Sequence, residues 1–383
     1  MDQRPLSGVR VLDLTNVLAG PYCSYQLMLL GAEVVKIEVP GVGDLARRLG
    51  ADPSRNRAGM GSSFLAQNAG KKSVELDLKS ADDRATFEQL ASSADVLLEN
   101  FRAGVLDRLG YGWDVLHGLN PGLVYCAISG FGQHGPLSQA PAYDQVVQGL
   151  SGMMSITGTP ETAPLRVGFP VCDTVGGLSA ALAIVAALAG RQRDGQGCFL
   201  DVSMLETSIA AMGWPVSNYL VCGVPPEPMG DQNATAAPSG TFEAADGPLN
   251  IAANRQEQFV TLCELIERPD LLDDPRFAER EARLRFRAEL NRELNKSLGS
   301  RPAAEWELLL SAAGVPAARI LTVPQAVDLP QLDGRGFLTA LGDFRVTGNG
   351  VLFDGEPLRP PAPPPTLGEH NASVPELIAR WRS

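Results

Sequence analysis

Over its first 215 residues the chain alternates between short β-branched runs and segments of helical periodicity, and no other feature constrains its fold as tightly. Residues 9–14 form an apolar run, and residues 21–30 behind it read as a helix stopped by Gly31. Strand-like runs recur at 33–37, 73–78, 96–98, 123–128 and 198–202. Helices are predicted at 81–93 behind an N-capping Ser80, at 143–153, at 175–191 and at 204–220. Successive strands separated by helices pair in parallel, and a parallel sheet needs both faces covered. The expected large domain is therefore α/β, with an open, mostly parallel, Rossmann-like sheet.

The pattern changes after Cys222. Residues 223–230 (GVPPEPMG) have linker composition. Short β segments at 241–244 and 249–252 then precede amphipathic helices near 256–267, 278–298 and 303–313. This predicts a large domain over 1–224, a smaller inserted α+β domain over 225–330, and a return segment over 331–383. The arginines of 278–298 alternate with glutamates and read as a solvated face.

Composition removes several functional classes. The net charge of −12 repels phosphate-rich surfaces, so neither nucleic acid nor an anionic membrane is an expected partner. Six scattered cysteines without a CxxC pair, and only three histidines, give neither a disulfide framework nor a metal centre. The longest low-charge stretch, 175–190, has 16 residues, fewer than the roughly 20 a bilayer span needs. With no apolar leader in residues 1–7, a cytoplasmic protein is expected.

Two glycine patterns, Gly41-Val-Gly43-Asp-Leu-Ala46 and Gly130-Phe-Gly132-Gln-His-Gly135, match the dinucleotide fingerprint. The first follows the second strand instead of the first, and the second runs into Pro136 where a helix should open, so no NAD site is expected. His134 reads as a loop histidine and Trp113 and Trp306 as core.

Asp173 stands at the start of the 175–191 helix, where a carboxylate caps the orphan N–H groups. The same position would keep it ionised through the helix dipole. An ionised carboxylate beside free backbone donors is a potential nucleophile, and the Gly176-Gly177 pair would leave room for an acyl group.

From here the sequence resembles a known family. The ordered segments are Pro5-Leu-Ser-Gly-Val-Arg-Val-Leu-Asp-Leu-Thr15, Ala19-Gly-Pro21, Leu30-Gly-Ala-Glu-Val-Val-Lys-Ile-Glu38, Asn68-Ala-Gly-Lys-Lys-Ser-Val-Glu-Leu-Asp-Leu-Lys79, Asp95-Val-Leu-Leu-Glu-Asn-Phe101, Ala142-Tyr-Asp144, Asp173, Asp274-Pro-Arg-Phe277 and Leu367-Gly-Glu-His370. Together they look like the family III CoA-transferases, the CaiB/BaiF group. The resemblance implies a CoA-transferase moving CoA from an acyl-CoA to a free carboxylic acid, with Asp173 as nucleophile. The implied route runs through aspartyl anhydrides and an aspartyl-CoA thioester, with no metal and no redox cofactor. It places coenzyme A contacts on Val17, Leu18, Asn68, Lys71, Asn100, Phe101, Arg102, Arg108, Tyr143 and Asp144, with Lys71 and Arg108 pairing with phosphates. It also implies an interlocked, ring-like homodimer. Val39, Leu18 and the 230–240 loop depart from the formate and oxalate members, which points toward other short dicarboxylic or branched acids. Two alternatives stay open: an acyl-CoA racemase, for which Tyr143 stands where a histidine is needed, and a non-catalytic acyl-CoA-binding protein.

Overall fold

A computed structural model describes residues 4–382. The chain separates into two compact units. One comprises the residues up to Met154, Arg166–Pro226 and everything from Pro330; the other comprises Ser155–Leu165 and Glu227–Leu329. The sequence offered no sign that Ser155–Leu165 clusters with the second unit.

The first unit is built on six strands: β1 (Arg10–Asp13), β2 (Glu33–Glu38), β3 (Lys72–Glu75), β4 (Val96–Glu99), β5 (Val124–Ser129) and β6 (Cys198–Ser203). Their spatial order is β3-β2-β1-β4-β5-β6, and every pairing is parallel. Alternate side chains leave each strand on opposite faces. Val11, Val34, Val124, Cys126 and Ile128 enter one core, while Leu12, Val35, Leu97 and Tyr125 enter the other. The first core is covered by α1 (Ala19–Leu29) and a long helix described below. The second is covered by α2 (Ala81–Ala91), α3 (Val105–Arg108), α4 (Trp113–Leu119) and the C-terminal helix Val374–Arg382. Strand order reverses direction on either side of β1 and β4, and such a switch point opens a crevice at the carboxyl ends of the strands.

Three further helices complete the site's frame: α5 (Asp144–Leu150), α6 (Val171–Arg191) and α7 (Met204–Ala211). Helix α6 begins four residues before the expected start and has 21 residues, so by length and composition alone it could cross a membrane. Part of it is core: Cys172, Gly176, Gly177, Ala180, Ala181, Ile184 and Leu188 are buried. A Cβ on Gly177 would lie 2.5 Å from the Ala19 carbonyl oxygen. That glycine lets α1 and α6 approach backbone to backbone, and it does not open space for a ligand. The helix expected over 204–220 breaks at Gly213, which has φ 54°, and resumes as Trp214–Cys222.

The tail returns along the free edge of β3. The His370 amide donates to the Ser73 carbonyl at 3.0 Å, and His370 Nδ1 accepts from the Ser73 amide at 3.2 Å. The Glu75 amide donates to Asn371 Oδ1 at 2.8 Å. These bonds cover an edge that would otherwise present unpaired backbone.

The second unit pairs strands Ser239–Ala244, Gly247–Ala252 and Ala317–Arg319 in an antiparallel sheet. Phe242, Phe259, Leu290 and Trp306 form its core with helices Gln256–Leu265, Arg287–Leu298 and Ala303–Ala312. The arginine-rich face is not wholly solvated. Arg283 is buried, donates to the carbonyls of Ala237 and Phe277 and lies over the Phe259 ring.

Candidate active site

The chain turns away from the sheet after β1, and its charges are resolved there first. Lys36 and Lys71 both lie within 4.0 Å of Asp13, Lys71 at 3.1 Å, and all three side chains are fully buried. Ser24 Oγ and Thr15 Oγ1 donate to the same carboxylate. Burial alone would raise the Asp13 pKa, yet the two ammonium groups and the hydroxyls hold it far below the usual carboxylate range. Lys71 also donates to Ser24 Oγ at 2.8 Å and the Pro21 carbonyl at 3.0 Å. Burial brings its pKa down to about 8 against the pull of Asp13. Its ammonium has no surface to offer, so the expectation that Lys71 meets a phosphate is withdrawn. Asn68 is likewise buried, with its Nδ2 on the Phe64 carbonyl.

Beyond this cluster Val17 adopts φ 67°, a costly conformation for a β-branched residue. Its amide donates to Asp44 Oδ1 at 2.9 Å, which holds it there. Asn100, after β4, exchanges two 2.8 Å bonds with the backbone of Asn16 and ties the two strand-end loops together.

A cavity of about 300 Å³ opens over these loops, lined among others by Val17, Leu18, Asn100, Phe101, Arg102, Tyr143 and Asp173. Seven of the eleven residues expected from the sequence thus share one cavity. Asp144 lies beneath it, and Arg108 is exposed with its guanidinium over Gly104. A second cavity, of about 280 Å³, lies past Phe101, which with Asn16 lines both. Its walls include Ile37, Val39, Leu76, Asp77 and Lys79, from the ends of β2 and the loop after β3. Sequence reasoning missed this second pocket. The available signal was positional: these residues lie at or just past the carboxyl ends of β2 and β3, on the sheet's ligand-binding edge.

Asp173 is the third residue of α6, not its cap. Pro170 flanks the helix and offers no capping side chain. Asp144 takes that role from a different helix: its Oδ1 accepts from the Cys172 amide at 2.8 Å and the Asp173 amide at 3.4 Å. Its Oδ2 accepts from Gln148 Nε2 at 2.7 Å. Asp173 is therefore not kept ionised by a free helix terminus. Burial, and then the Asp144 charge, push its pKa up to about 7, against the opposing pull of Arg166. A carboxyl group with that pKa is divided between its acid and its nucleophilic carboxylate at neutral pH. Among the described residues, the only other strongly raised carboxyl is Glu99, brought to about 8 chiefly by burial. It accepts from the Phe101 amide at 2.6 Å and so fixes the start of the loop that carries Phe101.

No cluster of ligating side chains suited to a metal occurs among the described residues. His134 opens on a different cavity, beside Trp113, Tyr125 and Phe199, and lines no part of the one that holds Asp173.

A carboxylate with its pKa raised to about 7, in a crevice at the switch point of a doubly wound sheet, has the placement that a nucleophile for acyl groups needs. The family model for CoA-transferase family III matches residues 6–371, and the chain belongs to that family. It is 40% identical to an acetyl-CoA:oxalate CoA-transferase of Acetobacter aceti, over 97% of this chain and 95% of that one. It is 32% identical to the human succinyl-CoA:glutarate CoA-transferase, over 99% of this chain and 87% of the relative. Among solved structures, a CAIB/BAIF family protein from Brucella suis superposes with TM-score 0.87 at 32% identity, covering 98% of this chain and 99% of that one.

Proposed function

We propose that this CoA-transferase moves CoA to a short dicarboxylic acid by covalent catalysis at Asp173. The observation that carries the proposal is the Asp173 carboxyl, half-buried, lining the cavity and titrating near neutrality. In the ionised form it attacks the thioester carbonyl; the C–S bond breaks and CoA leaves as thiolate. The thiolate then attacks the aspartyl carbonyl of the mixed anhydride and releases the donor acid, leaving an aspartyl-CoA thioester. The acceptor carboxylate attacks that thioester, CoA leaves again, and its return to the new acyl group frees Asp173. Each step exchanges one acyl bond for another, so no oxidant or reductant is consumed. Enclosure of the carboxyl limits hydrolysis of the anhydride.

The two cavities that meet at Phe101 suit an elongated ligand: the thioester end beside Asp173, the nucleotide end beside Lys79, and Arg102 and Arg108 near the phosphates. Dicarboxylic acceptors are supported by the relatives, named for oxalate and glutarate. A homodimer is supported by exposed apolar side chains in the first unit, among them Leu182, Trp214, Leu220 and Val221, all more than 70% exposed. A reducing, cytoplasmic setting is supported by cysteines that are all free. The racemase alternative lacks support at the cavity, where Tyr143 stands and no histidine lines the wall.

The test is a matrix of acyl-CoA donors and acid acceptors read by mass spectrometry of the CoA esters. Transfer to dicarboxylic acids is expected. Exchange of the α-proton without an acceptor acid, and no transfer, would reject the reading in favour of racemisation.

A further inference from the structure

An acceptor acid must bring its negative charge to a site that already holds two carboxyl groups, Asp173 and Asp144. At close range that repulsion is costly unless a cation sits beside them. Among the described residues, Arg166 is the cation whose charge opposes the effects of burial and of Asp144 on Asp173. Its bonding is incomplete. Among the described residues, the only partner of its side chain is Asp144 Oδ2, at 3.4 Å from one terminal nitrogen. That is long for a charge-assisted bond, which runs nearer 2.7–2.9 Å. Asp144 does not depend on it, since Asp144 already accepts from the amides of Cys172 and Asp173 and from Gln148 Nε2. Arg166 therefore holds most of its five N–H donors in reserve, on a side chain that is 43% exposed.

The backbone beneath that side chain is fixed. The Val167 amide donates to Gln148 Oε1 at 2.9 Å, and Gln148, fully buried, is the same residue that donates to Asp144. One glutamine thus ties the Arg166 loop, α5 and, through Asp144, the first turn of α6 into one frame. A planar donor fork with unused capacity, carried on a loop that is tied to the nucleophile's helix through Gln148 and Asp144, matches the geometry of a carboxylate.

We propose that Arg166 binds the second carboxylate of the acceptor acid and thereby makes the enzyme prefer dicarboxylic over monocarboxylic acceptors. This inference rests on the CoA-transferase reading of the site. The experiment compares glutarate with pentanoate as acceptors, using acetyl-CoA as donor, in the wild-type protein and in Arg166→Gln and Arg166→Lys. Wild type should favour glutarate. Arg166→Gln should lower the glutarate-to-pentanoate ratio of kcat/KM by on the order of 10- to 100-fold, the scale of a charge-assisted hydrogen-bonded pair. Arg166→Lys, which keeps the charge and loses the fork, should give an intermediate ratio and stands in if the glutamine variant does not fold. Equal losses toward both acids, or a wild type without preference, would overturn the proposal while leaving transfer itself intact. Absence of transfer to any acid would instead reject the underlying reading.

Discussion

Two aspartates of the first unit stand in opposite electrostatic situations. Asp13, at the end of β1, is sealed from solvent between Lys36 and Lys71 and accepts hydroxyl hydrogen bonds from Ser24 and Thr15. Asp173, in the first turn of α6, is half-buried next to another carboxylate, with only the loosely bonded Arg166 to offset it. Burial raises the pKa of both. Neighbours decide the outcome: Asp13 stays charged far into acid, and Asp173 titrates near 7. A saturated carboxylate has no lone pair left for chemistry, whereas an under-compensated one is reactive and costly to the fold. Opposite effects of removing each side chain follow from that difference.

The largest effect is expected at Asp173. Asp173→Ala should lower transferase activity by on the order of 10⁴-fold or more, because a covalent step is lost. Its stability at pH 8 should equal or exceed that of wild type, because a carboxyl with a raised folded-state pKa destabilises the native state as it ionises. Calorimetry at pH 8 and CoA-ester mass spectrometry read the two outcomes.

Asp13→Ala should reverse the pattern. It leaves two buried ammonium groups facing each other and should cost about 3–5 kcal/mol in denaturant unfolding, the scale for breaking a buried ion pair. The wild-type contribution has a pH signature. A depressed folded-state pKa gives stability that is complete above the unfolded value near 3.8 and is lost as pH falls toward the folded one. A variant as stable as wild type at pH 7 would break the comparison.

A smaller effect concerns pH dependence. Formation of the enzyme adduct should rise about tenfold per pH unit below 7 and level off above it, because only ionised Asp173 attacks. Asp144→Asn keeps an oxygen to accept from the Cys172 amide but removes the neighbouring charge, so the midpoint should move to lower pH. An unmoved midpoint would mean that burial alone sets the titration.

The smallest effect is expected at Val17, which joins the two regions: its amide is held by Asp44, a partner of Lys36, and its side lines the Asp173 cavity. Val17→Gly relieves a left-handed backbone but loosens the unfolded chain, so the net change in unfolding free energy should be within about 1 kcal/mol.

The elements of the sheet were legible because β-branched runs and helical periodicity are local signals, as at residues 96–98 and 123–128. Asp173 could be named as a candidate from its place in the sequence, but its surroundings could not be read there. Its charge state depends on Asp144, 29 residues earlier, which reaches across to cap α6. The capping motif failed as a guide because Pro170, at the cap position, has no side-chain acceptor to offer. Lys71 was misread for a similar reason. Asp13, Lys36 and Lys71 converge only once β1, β2 and the segment leading into β3 are in place, so nothing in the lysine's own segment marks it as buried. Arg166 carries no motif and becomes visible only beside its incompletely used partners.

The most direct test is chemical. The protein is incubated with acetyl-CoA without acceptor, quenched with hydroxylamine, and mapped by peptide mass spectrometry. The account predicts a hydroxamate on Asp173 and nowhere else, lost in Asp173→Ala. An active protein with no modified Asp173, or with the adduct on another side chain, would contradict it.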